Sequence, residues 1–125
     1  MKKHILIVED SIPAMFVEKM LMKNLNCKVD GASNAKDAIE LVKKNNTHYD
    51  LILMDLGLPD MDGIEASKII RKYENNEHIN KVPIVAVTGN ADPTQHQACL
   101  DIGMNEVIVK PLTKEIANSI LLKYT

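Results

Sequence analysis

Several polar residues stand where apolar runs stop. Ile5-Leu6-Ile7-Val8 ends at Glu9 and Asp10, Leu51-Ile52-Leu53-Met54 at Asp55, Ile84-Val85-Ala86-Val87 at Thr88, and Val107-Ile108-Val109 at Lys110. Carboxylates brought together repel one another unless a cation joins them. Their oxygens suit a hard ion such as Mg²⁺, with Mn²⁺ a substitute, and Mg²⁺ commonly keeps waters and phosphate oxygens besides one or two carboxylates. Lys110 supplies a point charge for a phosphate oxygen, and Thr88 a hydroxyl donor for another. A carboxylate can also form an acyl phosphate, so Asp55 is the candidate nucleophile. The chemistry indicated is phosphoryl transfer, in which positioning and charge neutralisation do most of the catalysis. Any one of these residues alone reads more simply as a solvated loop residue.

What would bring them together is the order of the elements. The apolar runs are short and continuous, as expected of strands covered on both faces. Between them lie amphipathic stretches. Pro13 suits the first turn of a helix reaching about Leu25, and residues 27–32 form a second, weaker strand. Asn34 can cap a helix carrying Ala35, Ala38, Ile39 and Val42 at helical spacing. A third helix is predicted over 64–73, with Asn75-Asn76 marking the loop that follows it. Pro93 opens a fourth helix ending near Gly103, and Ile116, Ala117, Ile120 and Leu121 share one face of a fifth. Five strands alternating with five helices imply a parallel sheet with helices on both faces, an α/β domain over 1–125. In such sheets ligands bind beyond the carboxyl ends of the strands.

Composition narrows the function. At 125 residues with 46% hydrophobic and 26% charged side chains, the chain is long enough for one self-sufficient core. A formal net charge of −2 gives no basic footprint for nucleic acid. No apolar run approaches the roughly 20 residues that span a bilayer, so no membrane contact is expected, and Glu9 and Asp10 break the N-terminal run too early for a signal peptide. Cys27 and Cys99 lack metal-type spacing and make a poor disulfide framework; His4, His48, His78 and His96 are scattered. A cytoplasmic location is the default expectation. The Lys43-Lys44 pair reads as a solvated helix face.

The chain resembles the response-regulator receiver domains of two-component signalling over essentially its full length. The resemblance rests on Val8-Glu9-Asp10-Ser11, on Met54-Asp55-Leu56-Gly57-Leu58-Pro59-Asp60-Met61-Asp62-Gly63, on Val87-Thr88-Gly89 and on Lys110-Pro111, in that order. It implies a flavodoxin-like (CheY-like) fold with strand order 2-1-3-4-5. It also implies Asp55 as phosphoacceptor and Mg²⁺ on Glu9, Asp10, Asp55 and the Gly57 backbone carbonyl, with Thr88 and Lys110 on the phosphoryl oxygens. A cis Lys110–Pro111 bond is expected, with Pro59 fixing the loop after Asp55 and Gly63 permitting the turn into the third helix. The wording of Pro83–Ala91 and Asp101–Asn105 is similar to receivers of hybrid sensor histidine kinases, which implies a phosphorelay with a histidine kinase or histidine phosphotransfer domain. A free-standing response regulator is the alternative.

Two positions depart from the family pattern. Val107, three residues before Lys110, stands where an aromatic side chain usually couples to the threonine. Gly57 stands where many relatives carry a larger side chain and, with Asn90, is expected to tune acyl-phosphate lifetime. The first helix carries more apolar residues than one buried face needs, including Ile12, Met15, Phe16, Val17 and Met20. The excess either fills the core or docks the phosphodonor's helices. Three rivals remain. An aspartyl-phosphate phosphatase of the haloacid-dehalogenase type would carry a second acid at position 57. A nucleotide or flavin module would need a glycine-rich loop after the first strand, where Glu9-Asp10-Ser11 stand instead. A degenerate receiver, serving only as a platform, would not need the full acidic set.

Overall fold

The computed structural model describes residues 2–44 and 48–125. Five parallel strands, β1 (His4–Val8), β2 (Lys28–Ala32), β3 (Leu51–Asp55), β4 (Ile84–Thr88) and β5 (Glu106–Val109), form one sheet in the order β2-β1-β3-β4-β5. The helices are α1 (Ile12–Asn24), α2 (Ala35–Lys43), α3 (Gly63–Glu77), α4 (Pro93–Asp101) and α5 (Lys114–Tyr124).

The two-residue period of a strand divides the core. Leu6, Val8, Ile52, Met54, Ile84 and Ala86 face one layer with Ala35, Ala38, Ala66, Ile70 and Cys99 from α2, α3 and α4. Ile5, Ile7, Leu51, Leu53, Val85 and Val87 face the other, with Met22 of α1 and Ala117, Ile120 and Leu121 of α5. Burying each such branched side chain contributes roughly 1.5–3 kcal/mol before entropy is counted. Among the described residues no helix is long and apolar enough to cross a membrane.

Side-chain caps set the helix starts. Ser11, Asn34, Asp62, Asp92 and Thr113 each accept a backbone N–H from the first turn that follows, at about 1 kcal/mol apiece. Gly103, just past α4, takes the left-handed φ of 101° that ends the helix.

One predicted boundary is wrong. The third helix does not stop at 73, and Asn75-Asn76 is not a loop: α3 continues to Glu77 and ends where His78 turns left-handed at φ 55°. The cause is tertiary. Buried Glu74 accepts Arg71 Nη1 at 2.7 Å and the Val82 amide at 2.7 Å, which ties the last turns of α3 to the approach to β4. Those contacts override the weak preference of asparagine for turns.

Candidate functional site

Strand register decides which polar residues meet. Val8 pairs with Met54, Asp55 with Val87, and Thr88 with Val109, so β1, β3, β4 and β5 end nearly flush. The residues just beyond inherit that alignment. The Glu9 amide donates to the Ala32 carbonyl at 3.0 Å and the Lys110 amide to the Thr88 carbonyl at 2.7 Å.

Carboxylate oxygens of Glu9, Asp10 and Asp55 consequently lie within 4.8 Å of one another, the one such acidic cluster among the described residues. Glu9 and Asp55 are buried and Asp10 is exposed. Lys110 Nζ stands 2.8 Å from Glu9 Oε2 and 3.6 Å from Asp55 Oδ1. Glu9 Oε2 has this ion pair but no aligned hydrogen bond. Glu9 Oε1 accepts the Ser11 amide at 3.1 Å, and Asp55 Oδ1 accepts the Gly57 amide at 3.3 Å. The Lys110–Pro111 bond is cis, as expected.

Gly63 serves a different purpose from the one expected. Its backbone angle is ordinary. A Cβ there would fall 2.3 Å from the Asp55 carbonyl oxygen and 2.9 Å from Leu56 Cα. The start of α3 packs onto the backbone that carries Asp55, and only a residue without a side chain fits.

Electrostatics follow from this crowding. Burial, then the Glu9 charge, push the Asp55 carboxyl above its usual range, against the Gly57 amide and Lys110. Burial pulls the Lys110 ammonium down, but Glu9 and the charges of Asp55, Glu9 and Glu18 outweigh it and hold its pKa above the ordinary lysine value. Three carboxylates against one ammonium leave this edge short of positive charge. Three hard-oxygen side chains around a common point, one with an ill-partnered buried oxygen, fit a small divalent cation.

Thr88 is one residue beyond the register partner of Asp55. Its hydroxyl accepts the Asn90 amide at 3.1 Å and lies 3.4 Å from Gln95 Oε1 on α4. All the predicted side chains therefore gather at one edge: Glu9, Asp10, Asp55, Thr88 and Lys110. Sequence reasoning missed two participants. Asp60 accepts the Ala35 and Lys36 amides at 2.9 and 3.0 Å, pinning the loop after Asp55 to the start of α2. Glu18 is buried in α1, where the charges of Glu9, Asp55 and Lys110 reach it. Its signal was available, since Glu18 falls at helical spacing between Met15 and Met22 on the core-facing stripe.

Comparison with known proteins agrees with this geometry. Residues 5–121 match the family model of the response regulator receiver domain. The chain is 36% identical over 119 residues to hybrid signal transduction histidine kinase M of Dictyostelium discoideum, covering 95% of this chain and 5% of that protein. Across the curated relatives compared, the chain spans 5% to 21% of their length. The receiver domain of sensor histidine kinase PA1611 from Pseudomonas aeruginosa, solved with magnesium in its active-site cleft, superposes with a TM-score of 0.86 at 32% identity, covering 99% of this chain and 98% of that one. The Saccharomyces cerevisiae receiver of Ssk1, solved with the histidine phosphotransfer protein Ypd1, gives 0.89 at 28% identity, with 98% and 88% covered. Sequence match, strand order and acidic edge agree, and the chain belongs to the response regulator receiver domain family.

Proposed function

We propose that Asp55 accepts a phosphoryl group from a phosphohistidine, within a two-component phosphorelay. The observation that carries this reading is the meeting of three carboxylates with Lys110 suspended between Glu9 and Asp55. An Asp55 oxygen forms a bond to phosphorus while the P–N bond to the donor imidazole breaks, and the imidazole keeps the electron pair. Lys110 neutralises one phosphoryl oxygen and the Thr88 hydroxyl donates to another, giving up Gln95 Oε1 while its oxygen goes on accepting the Asn90 amide. Later attack by water at phosphorus releases orthophosphate and restores the carboxylate.

Glu9, Asp10, Asp55 and the Gly57 carbonyl would hold Mg²⁺, or Mn²⁺ in its place. The bound ion offsets charge on both carboxylate and phosphoryl group. The magnesium-bound PA1611 receiver supports this assignment.

The donor is a histidine kinase or histidine phosphotransfer domain that docks on α1. There Ile12, Phe16, Val17 and Met20 are 84%, 65%, 51% and 47% exposed, a larger apolar surface than a free helix face warrants. The complex of the Ssk1 receiver with Ypd1 supports a phosphotransfer partner. We assign the domain to a hybrid sensor histidine kinase, since such kinases occur among its relatives, with a free-standing regulator as the second reading. A cytoplasmic location follows from the same reading.

Intact mass after incubation with acetyl phosphate tests the central claim. A single phosphate adduct that needs Mg²⁺ and disappears in Asp55→Asn is expected. An adduct that survives the substitution sinks the assignment of Asp55, and turnover of p-nitrophenyl phosphate would favour a phosphatase instead.

A further inference from the structure

Glu18 is 4% exposed, and it lines a groove of about 240 Å³ together with Val17, Lys110, Pro111 and Leu112. No hydrogen bond to its carboxyl is found among the described residues. Burial and the charges of Glu9 and Asp55 disfavour its ionised form, and Lys110 alone favours it, so its pKa is pushed up to about 7. A residue this deeply buried costs stability when its carboxyl ionises, even with its oxygens open to the groove. Such costs concentrate at functional sites.

Lys110 explains what the cost could serve. Among the described residues its ammonium has two acidic partners within ion-pair distance, Glu9 and Asp55. Both belong to the acidic cluster suited to a cation, and Glu18 does not. A cation on the cluster competes with the ammonium for those two carboxylates. Glu18 is then the remaining acid beside Lys110, beyond ion-pair distance but on the lining of the same groove.

We infer that Glu18 is a positioning residue of the phosphoacceptor site, holding the Lys110 ammonium in range of Asp55 when Glu9 is engaged elsewhere. The inference rests on the reading that Asp55 accepts phosphate. Glu18 touches no reacting atom and acts through Lys110.

The test measures initial rates of adduct formation from acetyl phosphate at saturating Mg²⁺ and at a pH above the Glu18 pKa of about 7, by intact mass. Glu18→Gln keeps the shape and removes the charge; it is expected to slow the reaction about tenfold, the low end for a supporting partner of a charged site. Glu18→Leu should slow it as much, and Glu18→Asp, which keeps the charge, should recover part of the rate. All three are expected to fold, and the neutral variants to melt no lower than the wild type because a carboxyl costly to ionise is gone. In a Lys110→Gln background the further change from Glu18→Gln shrinks to about twofold or less, as expected of residues acting as a unit. A Glu18→Gln rate equal to wild type overturns the inference, and so does an undiminished loss without Lys110. A wild type that forms no adduct, or an adduct that survives Asp55→Asn, overturns the phosphoacceptor reading and this inference with it.

Discussion

The two edges of the sheet treat charge in opposite ways. At the amino-terminal edge, among the described residues, Arg71, Glu74 and Asp30 are all matched. Arg71 donates to the Gly103 carbonyl at 3.0 Å, to Glu74 at 2.7 Å, to the Val82 carbonyl at 2.8 Å and to Asn105 at 3.2 Å. Asp30 takes a hydrogen bond from Tyr49 at 2.8 Å and contacts His4 at 3.0 Å; those partners outweigh burial and hold its carboxyl below the usual range. At the carboxyl-terminal edge Glu9, Asp10, Asp55 and Glu18 surround one ammonium, which pairs with Glu9 and Asp55, and the Asp55 and Glu18 carboxyls rise above the usual carboxylate range. A closed network fixes a scaffold. A network short of positive charge is built to receive some.

Breaking the scaffold should cost most. Arg71→Ala strands Glu74, 2% exposed, without its counter-charge and frees two backbone carbonyls. A loss of about 3–5 kcal/mol in urea unfolding is expected. A loss below about 1 kcal/mol would mean that this edge is no more closed than the other.

Supplying the missing charge should stabilise the opposite edge alone. Mg²⁺ at about 100 times its Kd should raise stability by about 2.7 kcal/mol. Asp10→Asn should remove most of that gain while leaving metal-free unfolding almost unchanged, since Asp10 is exposed. Equal stabilisation of the variant would place the ion elsewhere.

Glu18 sharpens the contrast through pH. Its folded pKa of about 7 lies above the unfolded value of 4.5, so the folded state keeps a proton that the unfolded chain releases. Stability must therefore fall as pH rises from 4.5 to 7, and the loss is complete above the folded pKa. The wild type should lose on the order of 2 kcal/mol more than Glu18→Gln across that window in metal-free buffer. Parallel curves for the two proteins would contradict the environment described for Glu18.

The smallest stability effect belongs to the exposed rim. Val17→Glu should change unfolding by no more than about 0.5 kcal/mol. It should nonetheless impair phosphoryl transfer from a protein donor while leaving acetyl phosphate reactive. Unimpaired transfer would remove α1 from the docking surface.

Much of the acidic edge was legible because strand ends are legible. An apolar run closed by an acid, a threonine or a lysine is local information, and alternation with helices forces parallel strands whose ends align. Asn75-Asn76 misled for the opposite reason: α3 is kept helical by contacts of Arg71 and Glu74 with the backbone of Val82 and Gly103, which no helical or strand period reports. Gly63 looked like a turn residue, and its purpose shows only against the Asp55 backbone. Glu18 fell between these cases. Its place on the buried stripe of α1 follows from helical spacing, but its neighbours Glu9 and Lys110 come from other strands' ends.

The sequence by itself determined the alternation of elements, the family and the residue types at each strand end, because these depend on periodicity and short-range order. The tertiary structure decided which charges go unpaired. Pairing depends on distances between elements far apart in the chain, and these are set by strand register and helix packing: the alignment of Asp55 with Val87, the approach of Gly63 to the backbone, and the groove that Glu18 shares with Lys110.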